Sequence, residues 1–462
     1  MTALTRARRP FRVAVIGAGP AGIYTADTLL KAASEFPQPW TGVRVDIHDH
    51  LPTPFGLIRY GVAPDHPRVK GITQSLTSVL EQPEIRFFGN VRYPDDLDLP
   101  TLRAAYDAVI FATGAMRDRS TDLPGAGLDG SYGAADFVAW YDAHPDVPRD
   151  WALDAERVAV VGAGNVALDV ARVLARNIDE MRSTEIPDHV EHALTLNRAR
   201  EIHIFARRGP AQAKFTQLEL RELGECSNVR VVVDRADLIY DEASRKAIQD
   251  SKIVSQVVNR IEDYAALAAQ PISPNVRTVF LHFLAQPTEI LGEAGRVVGL
   301  RTERQELDGS GRNLGTGQFI DWPVEAVYRA VGYQPDPVAG LPHDDNRGVV
   351  PNAAGRVLDD VGGQPLPGIY ACGWVKRGPV GLIGHTRADA KETVASMLHD
   401  VAAGKDLLGQ LLIEDVSTLL PHATTWSGWG KLDAYEQARG LEKGRERTKV
   451  ADRDEMISIS RL

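Results

Sequence analysis

The strongest constraint on the fold is a Gly-x-Gly-x-x-Gly turn near the start of the chain, Gly17-Ala18-Gly19-Pro20-Ala21-Gly22. The apolar run Val13–Ile16 precedes it, and a stretch with helical apolar spacing follows it to Leu30. A strand, a tight turn and a helix in this order predict that the turn lies against a pyrophosphate, which the helix N-terminus binds. Asp49 ends the next strand-like stretch and is placed to accept a ribose hydroxyl. The sequence therefore predicts a dinucleotide-binding domain at this point.

A second turn of the same kind, Gly162-Ala163-Gly164-Asn165-Val166-Ala167, again lies between an apolar run and a helical stretch. Two such units predict two nucleotide domains rather than a repeat array. The following strand, Glu201–Ala206, ends in Arg207 and Arg208 where an acid would bind a ribose 2′-hydroxyl. Because arginine binds phosphate bidentately, the second unit is predicted to bind NADP. The alternative is that the two arginines are surface residues of an exposed loop without a binding role.

Composition excludes several other classes. The 462 residues include 52 Lys and Arg against 62 Asp and Glu, and the net charge of -10 argues against general nucleic-acid binding. Cys226 and Cys372 lie far apart, so neither a Cys-x-x-Cys pair nor an internal iron–sulfur cluster is possible, and a reducing, cytoplasmic location is expected. No apolar run reaches the ~18 residues of a membrane helix. Met1–Pro10 is predicted to be a frayed basic arm.

Local patterns predict the remaining elements. Closely spaced Pro and Gly exclude a long helix from Leu51–Pro67, and Lys70–Leu80 is predicted to be helical. The middle of the chain is predicted to form short strands and one helix near Val254–Ala269. Leu307–Gly317 is glycine-rich and suits a hairpin loop, and the mixed charges of Glu442–Arg453 suit a solvated surface.

Two dinucleotide sites in one chain indicate the cofactor. Pyridine nucleotides bind and leave as substrates, and their usual partner is a bound flavin, which accepts a hydride and releases single electrons. The first unit, with Asp49, suits the ADP half of FAD, and the second suits NADPH or NADP+.

The chain resembles the adrenodoxin-reductase-type ferredoxin–NADP reductases, of the mycobacterial and mitochondrial type, over almost its whole length. The stretches that carry the resemblance are Leu51–Pro67, Gly162–Asp169, Arg207–Pro210, Phe215–Glu222 and Gly373–Gly384. The last stretch, Gly-Trp-Val-Lys-Arg-Gly-Pro-Val-Gly-Leu-Ile-Gly, is highly specific, because other two-dinucleotide flavoproteins usually carry Asp where this chain has Trp374.

The resemblance, together with the two turns, implies specific site residues. The residues expected at FAD are Gly17, Ala18, Gly19, Pro20, Gly22, Asp49, Leu57, Val91, Trp374, Gly381, Leu382 and Ile383. Those expected at NADP are Gly162, Gly164, Asn165, Val166, Arg207, Arg208, Glu219 and Gly381. The resemblance also places His66 and Glu222 as a catalytic pair near the nicotinamide, with Asp169 in support. Asp49 replaces the glutamate common in the family and keeps the same acceptor chemistry.

The fold class expected is α/β, with two Rossmann-like dinucleotide-binding domains. The NADP domain, residues 118–330, is expected to be inserted in a discontinuous FAD domain formed by residues 1–117 and 331–462. The resemblance implies that a hydride from NADPH goes to FAD, and that single electrons then go to a ferredoxin-type iron–sulfur protein. The acidic partner is expected to dock on basic residues, the candidates being Arg59, Arg68, Lys70, Arg198, Arg200, Lys376 and Arg377.

The same residues bear on several other functions. A disulfide reductase needs a redox cysteine pair, which the sequence lacks, and a flavin monooxygenase would carry a linking signature that is missing. A non-catalytic nucleotide sensor with the same fold remains open. His48-Asp49-His50 has metal-like spacing without further ligands, so no metal is expected. The sequence does not predict the oligomeric state.

Overall fold

The computed structural model describes residues 9–37, 40–268, 276–381, 383–404, 407 and 412–462. Most of the basic arm predicted at the N-terminus lies outside these residues. Arg9, which belongs to that arm, forms an ion pair with Asp107 at 2.6 Å.

The strands lie at both ends and in the middle of the chain. In chain order they are β1 (Phe11–Ile16), β2 (Val43–His48), β3 (Ile85–Gly89), β4 (Ala108–Phe111), β5 (Arg117–Asp118), β6 (Ser131–Gly133), β7 (Arg157–Val161), β8 (Glu201–Phe205), β9 (Val229–Val233), β10 (Arg277–His282), β11 (Ala285–Glu293), β12 (Arg296–Leu307), β13 (Asn313–Trp322), β14 (Ala326–Arg329), β15 (Tyr333–Gln334), β16 (Asn352–Ala353), β17 (Arg356–Leu358), β18 (Pro365–Ala371) and β19 (Thr424–Thr425).

Helices connect the parallel strands and cover the sheets. In chain order they are α1 (Pro20–Lys31), α2 (Leu57–Tyr60), α3 (Pro67–Lys70), α4 (Thr73–Leu80), α5 (Leu99–Ala105), α6 (Ala134–Tyr141), α7 (Asn165–Ala175), α8 (Ile178–Met181), α9 (Asp188–Thr195), α10 (Gln217–Glu225), α11 (Glu242–Asp250), α12 (Lys252–Leu267), α13 (Trp374–Arg377), α14 (Ile383–Ala402), α15 (Trp426–Leu441) and α16 (Arg453–Arg461). Short 3-10 helices lie at Ala33–Glu35, Pro210–Gln212, Arg235–Asp237 and Val416–Leu419.

The first and last parts of the chain form one sheet, with strand order β16-β17-β18-β4-β1-β2-β3-β19. Its central strands β18, β4, β1, β2 and β3 are parallel and are buried on both faces, which explains their nearly continuous apolar sequences. The chain order reverses between β1 and β4, so the carboxyl end of β1 is a topological switch point. The turn at Gly17 begins at this point.

The middle of the chain forms a second, fully parallel sheet, with strand order β6-β14-β7-β8-β10-β9. Its own switch point lies at the end of β7, where the turn at Gly162 begins. A separate antiparallel sheet, β11-β12-β13, packs beside it. The fold is therefore two Rossmann-like domains, with the second inserted in a discontinuous first domain. The domain boundaries at 117/118 and 330/331 stay a prediction.

The chain passes between the domains through a small ribbon. After β4 it continues into β5, and after β14 it continues into β15. These two short strands pair antiparallel, with Tyr333 opposite Asp118 and Gln334 opposite Arg117. The two crossings are therefore joined to each other by backbone hydrogen bonds and form one paired connection.

Three local predictions need correction. The middle of the chain carries a second helix, α11, before α12, because Asp241 caps its N-terminus by accepting a hydrogen bond from Ser244 N at 2.8 Å. The hairpin turn between β12 and β13 is shorter than the predicted loop, since β13 already begins at Asn313. The predicted helix from Lys70 is interrupted at Gly71 and resumes at Thr73.

The prediction of a solvated surface for Glu442–Arg453 is correct for 442–444 and Glu446, which are exposed, but it is wrong for Arg445 and 448–450, which are buried. Residues 443–453, here called the C-terminal strap, lie against the inserted domain, with the side chains of Arg445 and Lys449 only 4% and 1% exposed. Arg445 binds the Ile186 carbonyl oxygen and Asp188, and Lys449 binds Asp142 and Glu185. The charge pattern was misread because the acids that pair with these bases lie far away in the sequence.

No helix in the described ranges combines the length and the apolar character that crossing a bilayer requires.

Candidate active site

The first glycine turn is built by close backbone approaches. Gly17 has φ +114°, and a Cβ at this position would lie 2.3 Å from the Ala112 carbonyl oxygen. A Cβ on Gly22 would lie 1.9 Å from the Gly17 carbonyl oxygen. At Gly19, by contrast, a Cβ would meet no atom within 4 Å. The first and third glycines thus shape the turn, and the second leaves an open surface in front of α1 that fits the pyrophosphate of FAD.

Asp49 braces this turn. Its Oδ2 accepts a hydrogen bond from Ala18 N at 2.7 Å, and its Oδ1 accepts one from Leu51 N at 2.9 Å. Phe55 N donates to the Ala18 carbonyl oxygen at 2.9 Å, and Val91 N donates to the Asp49 carbonyl oxygen at 2.8 Å. The structure therefore brings Ala18, Asp49 and Val91 together at the first turn, with Leu57 following in α2.

Trp374 lies beside the same turn. It begins α13 directly after Gly373, where a Cβ would lie 2.6 Å from the Ala21 Cβ in α1. The Trp374 ring stacks on Tyr333 of the interdomain ribbon, with centroids 5.9 Å apart. Among the other residues predicted here, Gly381 is exposed with φ +91°, Leu382 lies outside the described residues, and Ile383 begins α14.

The second glycine turn repeats the construction of the first. A Cβ on Gly162, where φ is +151°, would lie 2.3 Å from the Ala330 carbonyl oxygen, whereas one on Gly164 would meet no atom within 4 Å. Asn165 begins α7, and its Oδ1 accepts a hydrogen bond from Thr216 N at 2.8 Å. Ala167, at the third position, is fully buried, whereas Val166 beside it is only partly buried.

Arg207 and Arg208 follow β8 at the carboxyl edge of the inserted sheet. Arg207 is exposed and Arg208 is partly exposed. Within the described part of the chain, neither guanidinium makes an ion pair. Two unpaired cations next to a dinucleotide turn form a site that can accept an anion.

His66 joins the two domains at the center of an ion cluster. It comes from the loop before α3 in the first domain, and its Nδ1 lies 3.1 Å from Glu222 Oε2 in α10. Its Nε2 lies 3.1 Å from Glu219 Oε2 and 3.3 Å from Asp169 Oδ1 in α7. The predicted ion pair of His66 and Glu222 is therefore present, and Asp169 and Glu219 lie at the same imidazole.

Arg172 completes this cluster from within the inserted domain. Its buried guanidinium binds Asp65 through Nε at 2.8 Å and through Nη2 at 3.1 Å. It also lies 2.9 Å from Glu219 and 2.7 Å from Asp169. Because Asp65 precedes His66 in the same loop, two adjacent residues of the first domain are tied to α7 and α10.

The cluster shifts several ionisations. Burial lowers the pKa of His66 and Arg172 opposes its protonation, but hydrogen bonds with Asp169 and Glu219 outweigh both and raise the pKa to about 10. Burial raises the pKa of Asp65, yet the Arg172 guanidinium holds it well below the usual range. Burial also raises the pKa of Glu222. His66 is therefore an imidazolium at neutral pH.

Sequence reasoning missed Asp65 and Arg172. Asp65 lies in the stretch Leu51–Pro67 that carries the resemblance, but it is not among the site residues that the resemblance implies. Arg172 lies in an otherwise apolar part of α7, three residues after Asp169. A lone arginine in an apolar helix segment, i+3 from an acid, is the signal that could have identified a buried ion pair.

Five of the seven predicted docking residues do not fit a docking role. Arg59, Lys70 and Lys376 are largely buried, being paired respectively with Glu436, with Asp142 and Glu185, and with Asp389 and Glu392. Arg198 and Arg200 are exposed but precede β8, so they lie at the sheet edge opposite the glycine turn. Arg68 and Arg377 remain candidates.

The spacing of His48, Asp49 and His50 does not correspond to a shared ligand site. His48 Nε2 hydrogen-bonds Tyr106 at 2.9 Å, whereas Asp49 binds the glycine turn. In the part of the chain that the structure describes, two other groups bring three ligand atoms within 4.8 Å, namely His50 with His144 and Asp146, and His66 with Glu219 and Glu222. His144 Nδ1 accepts a hydrogen bond from Asp146 N, and His66 is held protonated, so neither group favours a metal.

Comparison with known proteins gives consistent matches. The family model described as pyridine nucleotide-disulphide oxidoreductase matches residues 11–251. The mitochondrial NADPH:adrenodoxin oxidoreductase of Arabidopsis thaliana is 37% identical, over 98% of this chain and 96% of that protein. The NADPH-ferredoxin reductase FprA of Mycobacterium tuberculosis is 39% identical, over 98% and 99%. The solved structure of M. tuberculosis FprA in complex with NADPH covers 98% of this chain and 100% of its own, with a TM-score of 0.89.

Proposed function

The chain belongs to the adrenodoxin-reductase-type ferredoxin–NADP reductases, within the pyridine nucleotide-disulphide oxidoreductase family, and from this premise we propose how it acts. It is an FAD-dependent oxidoreductase that takes a hydride from NADPH and delivers electrons one at a time to a ferredoxin-type iron–sulfur protein. The observation that carries this proposal is His66, which extends from the first domain into an acidic cluster of the inserted domain. His66 therefore links the domain that we propose to hold FAD with the domain that we propose to hold NADPH.

The first domain holds FAD. Bound FAD supplies the hydride acceptor and the single-electron donor, chemistry that the side chains lack. The open surface at Gly19 and the N-terminus of α1 bind the pyrophosphate, and Asp49 holds the adenosine ribose. Trp374 and the start of α14 line the flavin end, because both follow the carboxyl edge of the sheet.

The inserted domain holds NADPH. The N-terminus of α7, with Asn165 and Val166, binds its pyrophosphate, and Arg207 with Arg208 binds the 2′-phosphate. Glu219 is already bound by Arg172 and His66, so it lies at the nicotinamide ribose, away from the 2′-phosphate.

His66 positions the reacting groups rather than abstracting a proton. Because its pKa is raised to about 10, both ring nitrogens carry protons near neutral pH. Nδ1 lies next to Glu222, and Nε2 lies next to Glu219, Asp169 and the Arg172 guanidinium, so His66 crosslinks the two domains beside the nicotinamide. This fixed geometry holds the nicotinamide next to the flavin site in the orientation that hydride transfer requires.

Anaerobic reduction of the flavin by NADPH tests this proposal. NADPH is mixed with the purified yellow protein, and the flavin absorbance is followed by stopped flow. We expect fast bleaching, followed by fast reoxidation with an acidic ferredoxin but not with a small disulfide. A flavin that binds but is not reduced by NADPH would indicate the nucleotide-sensor alternative. The disulfide-reductase alternative lacks support, since Cys226 and Cys372 are both free, buried thiols on different domains.

The protein acts in the cytoplasm. Its acidic iron–sulfur partner docks on basic residues of the surface. Arg68 and Arg377 are the exposed basic residues retained from the predicted set, although Arg377 also pairs with Asp389 and Glu392. Ferredoxin turnover should fall as salt rises, since opposite charges steer the encounter. Turnover that stays constant from low to high salt, or that is unchanged in an Arg68→Gln, Arg377→Gln double variant, would contradict this docking site.

A further inference from the structure

The segment Ala213–Thr216 lies along the second glycine turn. Lys214 N donates to the Ala163 carbonyl oxygen at 2.8 Å, and Lys214 stands opposite Gly164 in a parallel bridge. Two residues on, Thr216 N donates to Asn165 Oδ1 at 2.8 Å. The backbone of Lys214 is therefore held beside the turn by contacts that do not involve its own side chain.

The surroundings of Lys214 suit an anion. Among the residues that the structure describes, a Cβ on Gly164 would meet no atom within 4 Å, and no side chain caps the N-terminus of α7. Lys214 is exposed, and the described residues provide no ion-pair partner for its ammonium group. A lysine whose backbone is held next to an uncapped helix N-terminus can bring its ammonium group to a phosphate bound at that terminus and strengthen the binding.

We propose that Lys214 is a coenzyme-binding residue that contacts the pyrophosphate of NADPH, an inference that rests on the proposed function. Arg207 and Arg208 follow β8 and serve the 2′-phosphate, whereas Lys214 lies at the turn where α7 begins. Because NADPH and NADH share the pyrophosphate, Lys214 raises the affinity for both coenzymes. It determines how tightly the coenzyme binds, and the arginine pair determines which coenzyme is preferred.

The test is titration calorimetry of the FAD-loaded protein at low salt with NADP+, NAD+ and adenosine 2′-monophosphate. Lys214→Gln removes the charge and keeps a polar side chain of similar length. For a charged hydrogen bond that is partly exposed to solvent, Kd should rise about five- to tenfold for both NADP+ and NAD+. Adenosine 2′-monophosphate lacks the pyrophosphate, so its Kd should stay unchanged. The KM for NADPH should rise by the same factor, with kcat unchanged.

Three variants serve as controls. Lys214→Arg should bind like the wild type, because it restores the charge. Lys431→Gln removes an exposed charge on α15 and should change none of the constants. Arg207→Ala with Arg208→Ala should show the opposite pattern to Lys214→Gln, losing adenosine 2′-monophosphate while keeping NAD+.

Each possible outcome is decisive. The inference is overturned if Lys214→Gln binds NADP+ as tightly as the wild type, or if it weakens NADP+ but not NAD+, which would assign Lys214 to the 2′-phosphate. In both cases the proposed function stands, because the wild type still binds NADP+. A wild-type protein that bound no NADP+ would overturn the proposed function together with this inference.

Discussion

Lys449 and Asp142 form an ion pair at 3.0 Å in which the two side chains are only 1% and 0% exposed. Lys449 belongs to the C-terminal strap, and Asp142 follows α6 in the inserted domain. Lys70 and Glu185 complete the group, with Lys70 3.1 Å from Asp142 and Lys449 2.9 Å from Glu185. The first domain thus contributes the two lysines and the inserted domain the two carboxylates. The charges of this buried group cancel only when the two domains are in contact in this arrangement.

Breaking this group should loosen the docking of the domains. Asp142→Asn removes one of the two carboxylates that pair with Lys449 and Lys70, and removing one partner of a buried pair costs about 3–5 kcal/mol. We expect calorimetry to show a lower unfolding temperature for the inserted domain. We also expect NADPH to reduce FAD more slowly, because the nicotinamide is no longer held next to the flavin.

Arg149→Gln is the matched control, since Arg149 and Asp452 join the same two parts of the chain through an exposed pair, with side chains 50% and 49% exposed. It should cost at most about 1 kcal/mol. If Asp142→Asn were no more harmful than Arg149→Gln, the buried group would not be holding the domains together.

Trp374→Ala should weaken the retention of FAD. The ring stacks on Tyr333 of the interdomain ribbon and lies beside the first glycine turn. Loss of an aromatic contact of this kind costs about 1.4 kcal/mol, or roughly tenfold in FAD dissociation on dilution. Trp322→Ala, in the antiparallel sheet of the inserted domain, should leave FAD binding unchanged. An unaltered flavin spectrum together with full FAD retention in Trp374→Ala would contradict the assigned position.

The pH dependence of NADPH binding should reflect the cluster around His66. Because the pKa of His66 is raised to about 10, its proton is retained up to about pH 9. The KM for NADPH should therefore be constant from about pH 7.5, where the 2′-phosphate is almost fully ionised, to about pH 9. The KM should rise only when the pH passes through the raised pKa, since deprotonation removes one of the hydrogen bonds between the domains.

Asp169→Asn tests whether the ionisation of His66 sets the pH dependence of NADPH binding. It removes the negative charge that raises the pKa of His66, so the increase in KM should begin at a lower pH. His66→Gln should have a weaker but pH-independent affinity for NADPH and should keep FAD. Asp179→Asn, an exposed acid on α8, is the control and should follow the wild type. Identical pH profiles for the wild type and Asp169→Asn would show that Asp169 does not set this ionisation.

Sequence patterns predicted what is local and left out what depends on distant partners. The turns at Gly17 and Gly162 were predicted because strand, turn and helix follow one another directly. The resemblance supplied the pair of His66 and Glu222. Arg172 was missed because two of its partners, Asp65 and Glu219, lie far away in the sequence, although Asp169 lies only three residues before it. The C-terminal strap was misread for the same reason, since only the folded chain shows that Arg445 and Lys449 meet acids of the inserted domain.

Coenzyme choice gives the sharpest prediction. Arg207 and Arg208 follow β8, at the place where an acid would select NADH, and among the described residues their guanidinium groups have no ion-pair partner. The 2′-phosphate carries close to two negative charges, and each charged hydrogen bond contributes about 1.5–3 kcal/mol. Since the arginines are partly exposed, the net preference should be about 2–4 kcal/mol, or roughly 30- to 1000-fold in kcat/KM for NADPH over NADH.

The double variant Arg207→Ala, Arg208→Ala should lose this preference by raising the KM for NADPH and should leave NADH turnover nearly unchanged. The reason is geometric: both arginines follow the strand at the adenosine end of the site, whereas hydride transfer occurs near His66, so kcat is spared. Lys214→Gln is the informative comparison, because it should weaken both coenzymes equally and keep their ratio. Wild-type protein that used NADH as well as NADPH, or a double variant that still preferred NADPH, would show that these arginines do not read the 2′-phosphate.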